Sequence, residues 1–427
     1  MLAASFLISG LVFFVRWQGW LQTFELKALD FLMQQQEVQK SNDNLLSVLV
    51  ADDSDTLPNI SQSSHETENG ARLLADSTID VILEKLNKYK PAVIGLGIVP
   101  KGNQEGNIEG KYKNLKSSLQ RGNLIGICVI ENPDVKQQPT NAPRDLPSER
   151  IGFYDVFPDE EDDVIRRNLL FTGVNNEKTC KGKEAYSFSF KIVSQYWYFK
   201  YNIKNLKIDD SKDNENFYTI GKKKIYPLIM YHQGGYNHPS SKVSDSEGVI
   251  LLFKPQPYEK SEDIANIFSL SDVIYDRVPP KFIKDKIILV GYDGSERRFK
   301  TQYSKGNKFN DQIPEILVHA LMVRELIDVL EGKQSFISVW IFWKDYLWLL
   351  GWSVLGGLIT LIVKLQKFWQ FKIIFYIGIS LGGLYISCWI MLIFCNLWIP
   401  LVPTIITLLL TSCAVTTYKL IKQSITT

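Results

Sequence analysis

Acidic residues follow the first predicted strand of the chain, at the point where a ligand site is expected. Asp52, Asp53 and Asp55 come directly after Leu45–Ala51, a short and almost entirely apolar run of the kind that forms a buried strand. Ligands of open α/β sheets bind beyond the carboxyl ends of the strands. These carboxylates therefore either bind a cation or another polar ligand, or form a solvated turn in which one of them caps a helix.

A second group of charges lies in the middle of the chain. Asp159–Asp163 is an acidic run that is followed at once by Arg166 and Arg167. The run lacks the alternating ligand spacing of a calcium loop, so we favour a solvated charge run over a calcium site. Arg166 and Arg167 either pair with these acids as a structural latch, which we favour, or one of them faces a pocket.

The remaining motifs predict no catalysis and no resident cofactor or metal. Gly291–Gly294 follows a predicted strand but lacks the third glycine of a dinucleotide fingerprint, which indicates a tight turn. His319, on an apolar helix, is more typical of a core histidine than of a ligand, and we retain it as a binding candidate. No phosphate-binding loop, nucleophile elbow or triad pattern is present in the sequence.

Three long apolar runs near the end of the chain predict membrane-spanning helices. They are Tyr346–Leu365, Phe371–Phe394 and Trp398–Ile421, each about the 20 residues that cross a bilayer as a helix. The lysines of Lys364–Lys372 place the first connecting loop in the cytoplasm, because lysine and arginine gather in cytoplasmic loops. The uncharged Cys395–Leu397 loop then lies outside, and the C-terminus lies inside.

An apolar run at the beginning of the chain, Leu2–Val15, predicts a fourth span. It ends at Arg16, Trp17 and Trp20, which resemble an interfacial belt. We favour an uncleaved span over a signal peptide, since no cleavage site follows. No basic residue precedes the run, which leaves open whether Met1 is the native start.

These spans divide the chain into three parts: a first transmembrane helix in residues 1–20, an extracytoplasmic domain in 21–345, and three transmembrane helices with a short tail in 346–427. The protein is thus expected in the inner (plasma) membrane as a multi-pass protein, with the domain in the periplasm and both termini in the cytoplasm. The net charge of +2 and the absence of a basic stripe predict no nucleic-acid partner.

The extracytoplasmic domain has the pattern of an α/β fold, with a mixed, largely parallel sheet flanked by helices. Short apolar runs that predict strands alternate with runs of helical periodicity. The charged stretch Lys200–Lys224 predicts a surface insertion. Cys128 and Cys180 permit a disulfide in this compartment, but we favour two buried free thiols. The clearest elements are strands at Leu45–Ala51, Ala92–Val99, Asn123–Glu131, Gly248–Lys254 and Asp285–Gly291, and helices at Trp20–Gln36, Arg72–Tyr89, Tyr186–Tyr198 and Ile313–Leu330.

Four segments, together with the arrangement of spans, resemble the type-2 CHASE domains, which are extracellular sensory domains of bacterial signalling proteins. The resemblance covers essentially the whole chain and implies a membrane sensor. Relatives with this outline are common in cyanobacteria and usually carry a cytoplasmic kinase or nucleotide cyclase. The four segments are the strand into Asp52–Ser54, the block Asp162–Arg167, the strand Phe282–Gly291 and the helix start Ile313–Ala320.

Two departures from the family pattern fall near the expected ligand position. The aromatic–proline–arginine segment of the family is replaced by His65–Arg72, and Gly97 stands where the family has an aspartate. Our ligand-binding candidates are Asp52, Asp53, Arg72, Arg166 and His319. Only six residues follow the last predicted span, so we expect no output module behind it.

The sequence therefore predicts a membrane-bound sensor of an unknown small-molecule or physical signal. The signal would pass through the spans to a separate signalling protein, at the Lys364–Lys372 loop for example, or to a second copy of the chain. Two alternatives are a structural anchor left from a split sensor gene and, less favoured, an envelope enzyme that uses Asp52 and Asp53.

Overall fold

The computed structural model forms two compact units. One consists of Met1–Gln36, Leu228–Ser240 and Ile337–Thr427, and is called the membrane unit below; the other consists of Glu37–Pro227 and Ser241–Phe336, and is called the outer domain. The structure describes residues 1–38, 46–51, 73–100, 113–130, 141–143, 145–173, 180–181, 184–203, 206–210, 217–228, 233–237, 248–293, 297–304, 311–363 and 368–426.

Helices and strands alternate through most of the chain. The helices are α1 (Leu2–Trp17), α2 (Gln22–Met33), α3 (Asp76–Lys88), α4 (Lys113–Leu119), α5 (Phe188–Tyr201), α6 (Ser261–Ile264), α7 (Leu270–Ile274), α8 (Glu315–Leu330), α9 (Phe342–Ile362), α10 (Trp369–Cys395) and α11 (Val402–Thr426). The strands are β1 (Leu46–Ala51), β2 (Leu73–Leu74), β3 (Val93–Leu96), β4 (Val99–Pro100), β5 (Leu124–Cys128), β6 (Ile151–Phe153), β7 (Val164–Ile165), β8 (Arg167–Thr172), β9 (Ala185–Tyr186), β10 (Ile208–Asp210), β11 (Tyr218–Ile220), β12 (Lys223–Ile225), β13 (Gly248–Leu252), β14 (Asn266–Ser269), β15 (Ile287–Tyr292), β16 (Arg298–Thr301), β17 (Ile313–Pro314), β18 (Ser338–Val339) and β19 (Leu397–Trp398).

A six-stranded sheet with the order β14-β1-β15-β3-β5-β6 forms the centre of the outer domain, and every neighbouring pair in it is parallel. All residues of β3 and β5 are buried, so both faces of these strands are covered. Apolar runs without alternation predict such strands, and the predicted α/β fold with a largely parallel sheet is confirmed.

Two helices of the outer domain, α5 and α8, pack directly on the sheet because glycines let them approach. A Cβ atom on Gly152 would lie 2.6 Å from Cα of Phe188 at the start of α5, and one on Gly291 would lie 2.4 Å from Cβ of Ile316 in α8. Side chains there would push the helices outward. Gly291 lies within β15, in agreement with the predicted strand Asp285–Gly291, whereas Gly294 of the predicted turn lies outside the described residues.

Two predicted elements form separate sheets and do not join the central parallel sheet. The predicted strand at Gly248–Lys254 does form as β13, but it pairs antiparallel with β8 in a separate three-stranded sheet. The predicted insertion at Lys200–Lys224 contains a small antiparallel sheet of its own, β10-β11-β12. Local pattern identifies a strand, but its partner depends on the rest of the chain.

The outer domain contains a disulfide between Cys128, at the end of β5, and Cys180, with a Cα–Cα distance of 5.3 Å. The expectation of two free thiols is therefore wrong. The two residues are 52 positions apart, and only the folded chain brings them within bonding distance.

The membrane unit holds the long apolar helices. Within the described part of the chain, three helices (α9, α10 and α11) are long and apolar enough to cross a bilayer, and the α1–α2 pair adds a fourth if it is counted as one bent span. The bend between α1 and α2 is 91°, so the two helices do not form one straight helix. Between α9 and α11, the hydroxyls of Ser353 and Thr411 hydrogen-bond at 2.6 Å, and Gly356 lies against the backbone of Leu408. Small residues at such seams let helix backbones approach in a membrane.

Candidate functional site

A buried polar cluster lies where strand β6 ends in the outer domain. The imidazole of His319, one turn into α8, stacks on the ring of Tyr154 at 4.3 Å between centroids. His319 Nε2 lies 3.0 Å from the carbonyl oxygen of Tyr154. Because a carbonyl only accepts, Nε2 carries the proton, and His319 Nδ1 is then an acceptor that has no hydrogen-bond partner among the described residues.

Three charged groups continue the cluster around the guanidinium of Arg297. Arg297 Nη2 donates to Glu315 Oε1 at 2.7 Å, and Glu315 is the first residue of α8. Asp155, which follows Tyr154, accepts from the backbone N–H of Ile130 through Oδ2 at 2.9 Å. Its Oδ1 is buried and has no hydrogen-bond partner in the described part of the chain. We define the hub as Tyr154, Asp155, Arg297, Glu315 and His319.

Burial shifts the pKa values of three residues of the hub. It raises the pKa of Asp155 to about 7, although the Ile130 N–H and Arg297 favour the charged form, and it raises the pKa of Glu315 to about 7 against the opposing effect of Arg297. Burial lowers the pKa of His319 to about 3, so the imidazole is neutral at physiological pH. Two carboxyl groups thus share one cation, and the hub can take up a proton near neutral pH.

Arg166 forms the structural latch that the sequence favoured. Its guanidinium is fully buried and donates to Asp159 Oδ2 at 2.9 Å and to Asp162 Oδ2 at 2.7 Å. Arg167 pairs with Asp159 Oδ1 at 2.7 Å. The acidic run therefore pairs with arginine side chains. The described residues contain no group of three or more His, Cys, Asp or Glu side chains placed to hold a metal ion.

Of the other predicted ligand-binding residues, Asp52, Asp53 and Arg72 lie outside the described residues. Gly97, where the resemblance to the family predicts an aspartate, lies in the described part. A Cβ atom there would lie 3.0 Å from both the Tyr154 hydroxyl and the carbonyl oxygen of Val290. The Tyr154 ring therefore occupies the space that an aspartate would need.

A second buried ionic network lies in the membrane unit. Arg16 of α1 donates from Nε to Glu25 of α2 at 2.9 and 3.1 Å, and from Nη1 to Asp345 of α9 at 2.9 Å. Arg16 Nη2 also donates to the carbonyl oxygen of Gly234, in the segment Leu228–Ser240. This network, called the membrane latch below, joins three helices and that segment.

The membrane latch buries the side chain of Arg16. Its side chain is only 3% exposed, whereas Trp20 is 72% exposed. A buried guanidinium needs paired acceptors, and Glu25 and Asp345 provide them. The acceptors are 9 and 329 positions away in the sequence, so no local sequence pattern predicts the pairing.

Sequence reasoning identified His319 but missed the rest of the hub. A usable signal existed for two of its members. Asp155 follows the end of a strand, and Glu315 opens a helix directly after Pro314, where a carboxylate is favourable. Arg297 carries no such signal, because its position follows from the fold alone.

The comparison with protein families agrees with this architecture. Residues 7–358, most of the chain, match the family model described as the CHASE2 domain. Comparison with curated proteins and with solved structures gives no significant match. The cyanobacterial outline stays a prediction. With its long apolar helices and this match, the chain is a membrane protein that belongs to the CHASE2 family of extracytoplasmic sensory domains.

Proposed function

We propose that the outer domain detects a signal and that the membrane helices pass it to a separate partner. The membrane latch is the observation that carries this proposal. It ties α1, α2 and α9 to Gly234, in a segment that the chain enters from the outer domain at Pro227 and leaves again at Ser241. A rearrangement of the domain that pulls on this segment would act on three helices at once.

The proposed mechanism is a shift between two arrangements of the helices. A ligand can shift such an equilibrium only by as much as its affinity for the two states differs. Buried ion pairs support discrete arrangements, since separating them leaves uncompensated charge in a medium of low dielectric constant. The chain itself is proposed to act without catalysis.

The proposal also covers orientation and partners. It places the outer domain in the periplasm and both termini in the cytoplasm. The Cys128–Cys180 disulfide supports an oxidising compartment for the domain, and the lysines at Lys364–Lys372 support a cytoplasmic loop. The receiving partner is a separate signalling protein or a second copy of the chain.

Exposed Cys413 in α11 allows transmission to be measured directly. A spin label is attached to it in the full chain, in lipid nanodiscs, with Cys388 and Cys395 changed to serine. Glu315→Gln, which mimics a protonated hub, is expected to change the mobility of the label, whereas Glu262→Gln on the surface leaves it unchanged. Identical spectra for both variants would favour the structural-anchor alternative.

The partner is tested by affinity purification of the tagged full chain from its native membranes. We expect one signalling protein, or a second copy, to be recovered with the wild type in a fixed ratio. Arg16→Gln is expected to change that ratio, and Arg277→Gln, at an exposed ion pair with Asp272, is expected to preserve it. Recovery that is the same for all three chains, or no recovery from any, would contradict signalling through the membrane latch.

A further inference from the structure

A cleft of about 420 Å³ runs along one face of α5 in the outer domain. Its size is within the range of about 300–1,000 Å³ that is typical of small-molecule sites. Its lining includes Lys191, Ser194 and Gln195 of this helix, together with Tyr186, Glu149 and Arg150. This cleft is separate from the hub, and none of its lining residues belongs to the hub.

The charges around the cleft favour an anion. Arg150, Lys191 and Lys207 line it together with a single carboxylate, that of Glu149. Arg150 is already used: it donates to the carbonyl oxygens of Gln120 at 3.0 Å and of Arg121, next to the end of α4. Lys191 and the exposed Lys207 remain for a ligand, and Lys191 is the less exposed of the two.

Lys191 has the properties of a binding residue. Its ammonium lies 4.9 Å from the ring centroid of Tyr186 and makes no hydrogen bond to a described residue. The side chain is partly buried, and this burial lowers the pKa of Lys191. The neighbouring Ser194 and Gln195 side chains likewise have no hydrogen-bond partner within the described chain, so three sets of polar groups face the same space.

An aromatic wall adjoins these donors. The rings of Tyr186 and Phe190 stack with centroids 5.4 Å apart and planes 20° apart, and Tyr198 lines the same cleft. Aromatic surfaces of this kind bury a flat apolar group at small entropic cost.

We propose that the α5 cleft binds a small aromatic carboxylate, whose carboxylate pairs with Lys191 and whose ring packs on the Tyr186–Phe190 wall. This inference rests on the proposed sensory function and names the site and the chemical class of its signal. A single-ring acid carries both groups that this pairing needs, a carboxylate and a flat apolar ring.

Contacts of α5 connect the cleft with the rest of the outer domain. At its beginning, Phe188 meets His319 of α8 edge to face at 5.4 Å. At its end, Lys200 pairs with Glu331, which follows α8, at 2.7 Å. The chain continues from there to Ile337, where the membrane unit begins. A ligand that moves α5 would thus bias the helix that leads to the spans.

Benzoate is the probe for the test, and uncharged benzyl alcohol is the matched control compound. Binding to the full chain in nanodiscs is measured by ligand-observed NMR titration. Lys191→Met removes the proposed anchor. Lys281→Met is the matched control variant, because Lys281 also lies over an aromatic ring, that of Phe282, at 4.8 Å.

We expect benzoate to bind the wild type and Lys281→Met alike, and Lys191→Met roughly tenfold or more weakly, as for the loss of a charge-assisted hydrogen bond. Glu149→Gln should bind it more tightly, because it removes the competing carboxylate. Equal binding by the wild type and Lys191→Met, equal binding of benzyl alcohol, or no binding of benzoate would overturn the proposal. Benzoate binding that leaves the Cys413 label unchanged would uphold this site and count against the proposed transmission.

Discussion

His319 and Tyr154 are joined twice, by ring stacking at 4.3 Å and by a hydrogen bond from the imidazole to the backbone carbonyl of the same tyrosine. The contact connects the first turns of α8 with the end of β6. It also places a neutral imidazole beside the Arg297 guanidinium, since burial prevents a second positive charge there.

Replacing His319 tests this double contact. His319→Phe keeps a flat ring but removes the donor to the Tyr154 carbonyl, and an unsatisfied buried acceptor costs about 1–3 kcal/mol of unfolding free energy. His319→Gln, which can still donate, should recover part of the loss. Denaturant unfolding of the full chain in detergent measures both. Equal stability of His319→Phe and the wild type would show that the hydrogen bond contributes nothing.

The pH dependence of stability tests the hub carboxyls. The pKa of Glu315 is about 7 in the folded protein and about 4 in an unfolded chain. Between these values the folded state holds a proton that the unfolded state has lost. Glu315 therefore stabilises the fold below about pH 4, and this contribution declines as pH rises towards 7.

Glu315→Gln removes that contribution. Between roughly pH 5 and 6.5, the unfolding free energy of this variant should fall less steeply with rising pH than that of the wild type. The two slopes should differ by about 1.4 kcal/mol per pH unit. The surface variant Glu262→Gln should run parallel to the wild type. Chemical denaturation at several pH values checks this, and three parallel curves would mean that Glu315 is ionised throughout.

The membrane latch predicts an asymmetry between single and combined substitutions. Arg16→Met leaves Glu25 and Asp345 buried without their cation, which costs about 3–5 kcal/mol in known buried pairs. Neutralising all three residues together should cost less. Arg277→Met, at an exposed pair, should change stability by less than about 1 kcal/mol. Thermal unfolding in nanodiscs ranks these variants, and a triple variant less stable than Arg16→Met would refute the latch.

The disulfide predicts a specific thiol count. Without reductant, the denatured chain should react with maleimide at three thiols (those of Cys388, Cys395 and Cys413), and after reduction at five. Changing Cys128 and Cys180 to serine should cost about 2–5 kcal/mol. Mass spectrometry measures how many thiols carry the label. Five labelled thiols without reductant would disprove the disulfide bond.

The surroundings of Gly97 predict that an aspartate is not tolerated at this position. Gly97→Asp must displace Tyr154 or the Val290 carbonyl, each 3.0 Å from the new Cβ, and we expect a loss of about 1–3 kcal/mol. Gly122→Asp is the matched control, because nothing lies within 4 Å of its Cβ. Comparable melting temperatures for the two variants would contradict this account of Gly97.

The sequence alone determined the fold class and the long apolar helices. Those features depend on local composition and period: a strand buried on both faces has to be apolar throughout, and a helix that crosses a bilayer has to be apolar for about 20 residues. Patterns of this kind are read from neighbouring residues, so the predicted sheet strands and the three C-terminal helices appear close to where the sequence placed them.

The tertiary structure decided every long-range pairing. Cys128 with Cys180, Arg16 with Asp345, and Asp155 beside Arg297 join residues that are far apart in the chain. An arginine or a cysteine looks the same in sequence whether it is solvated or buried. Only the folded chain sets which opposite charge or thiol comes within a few ångströms, and that distance fixes its chemistry.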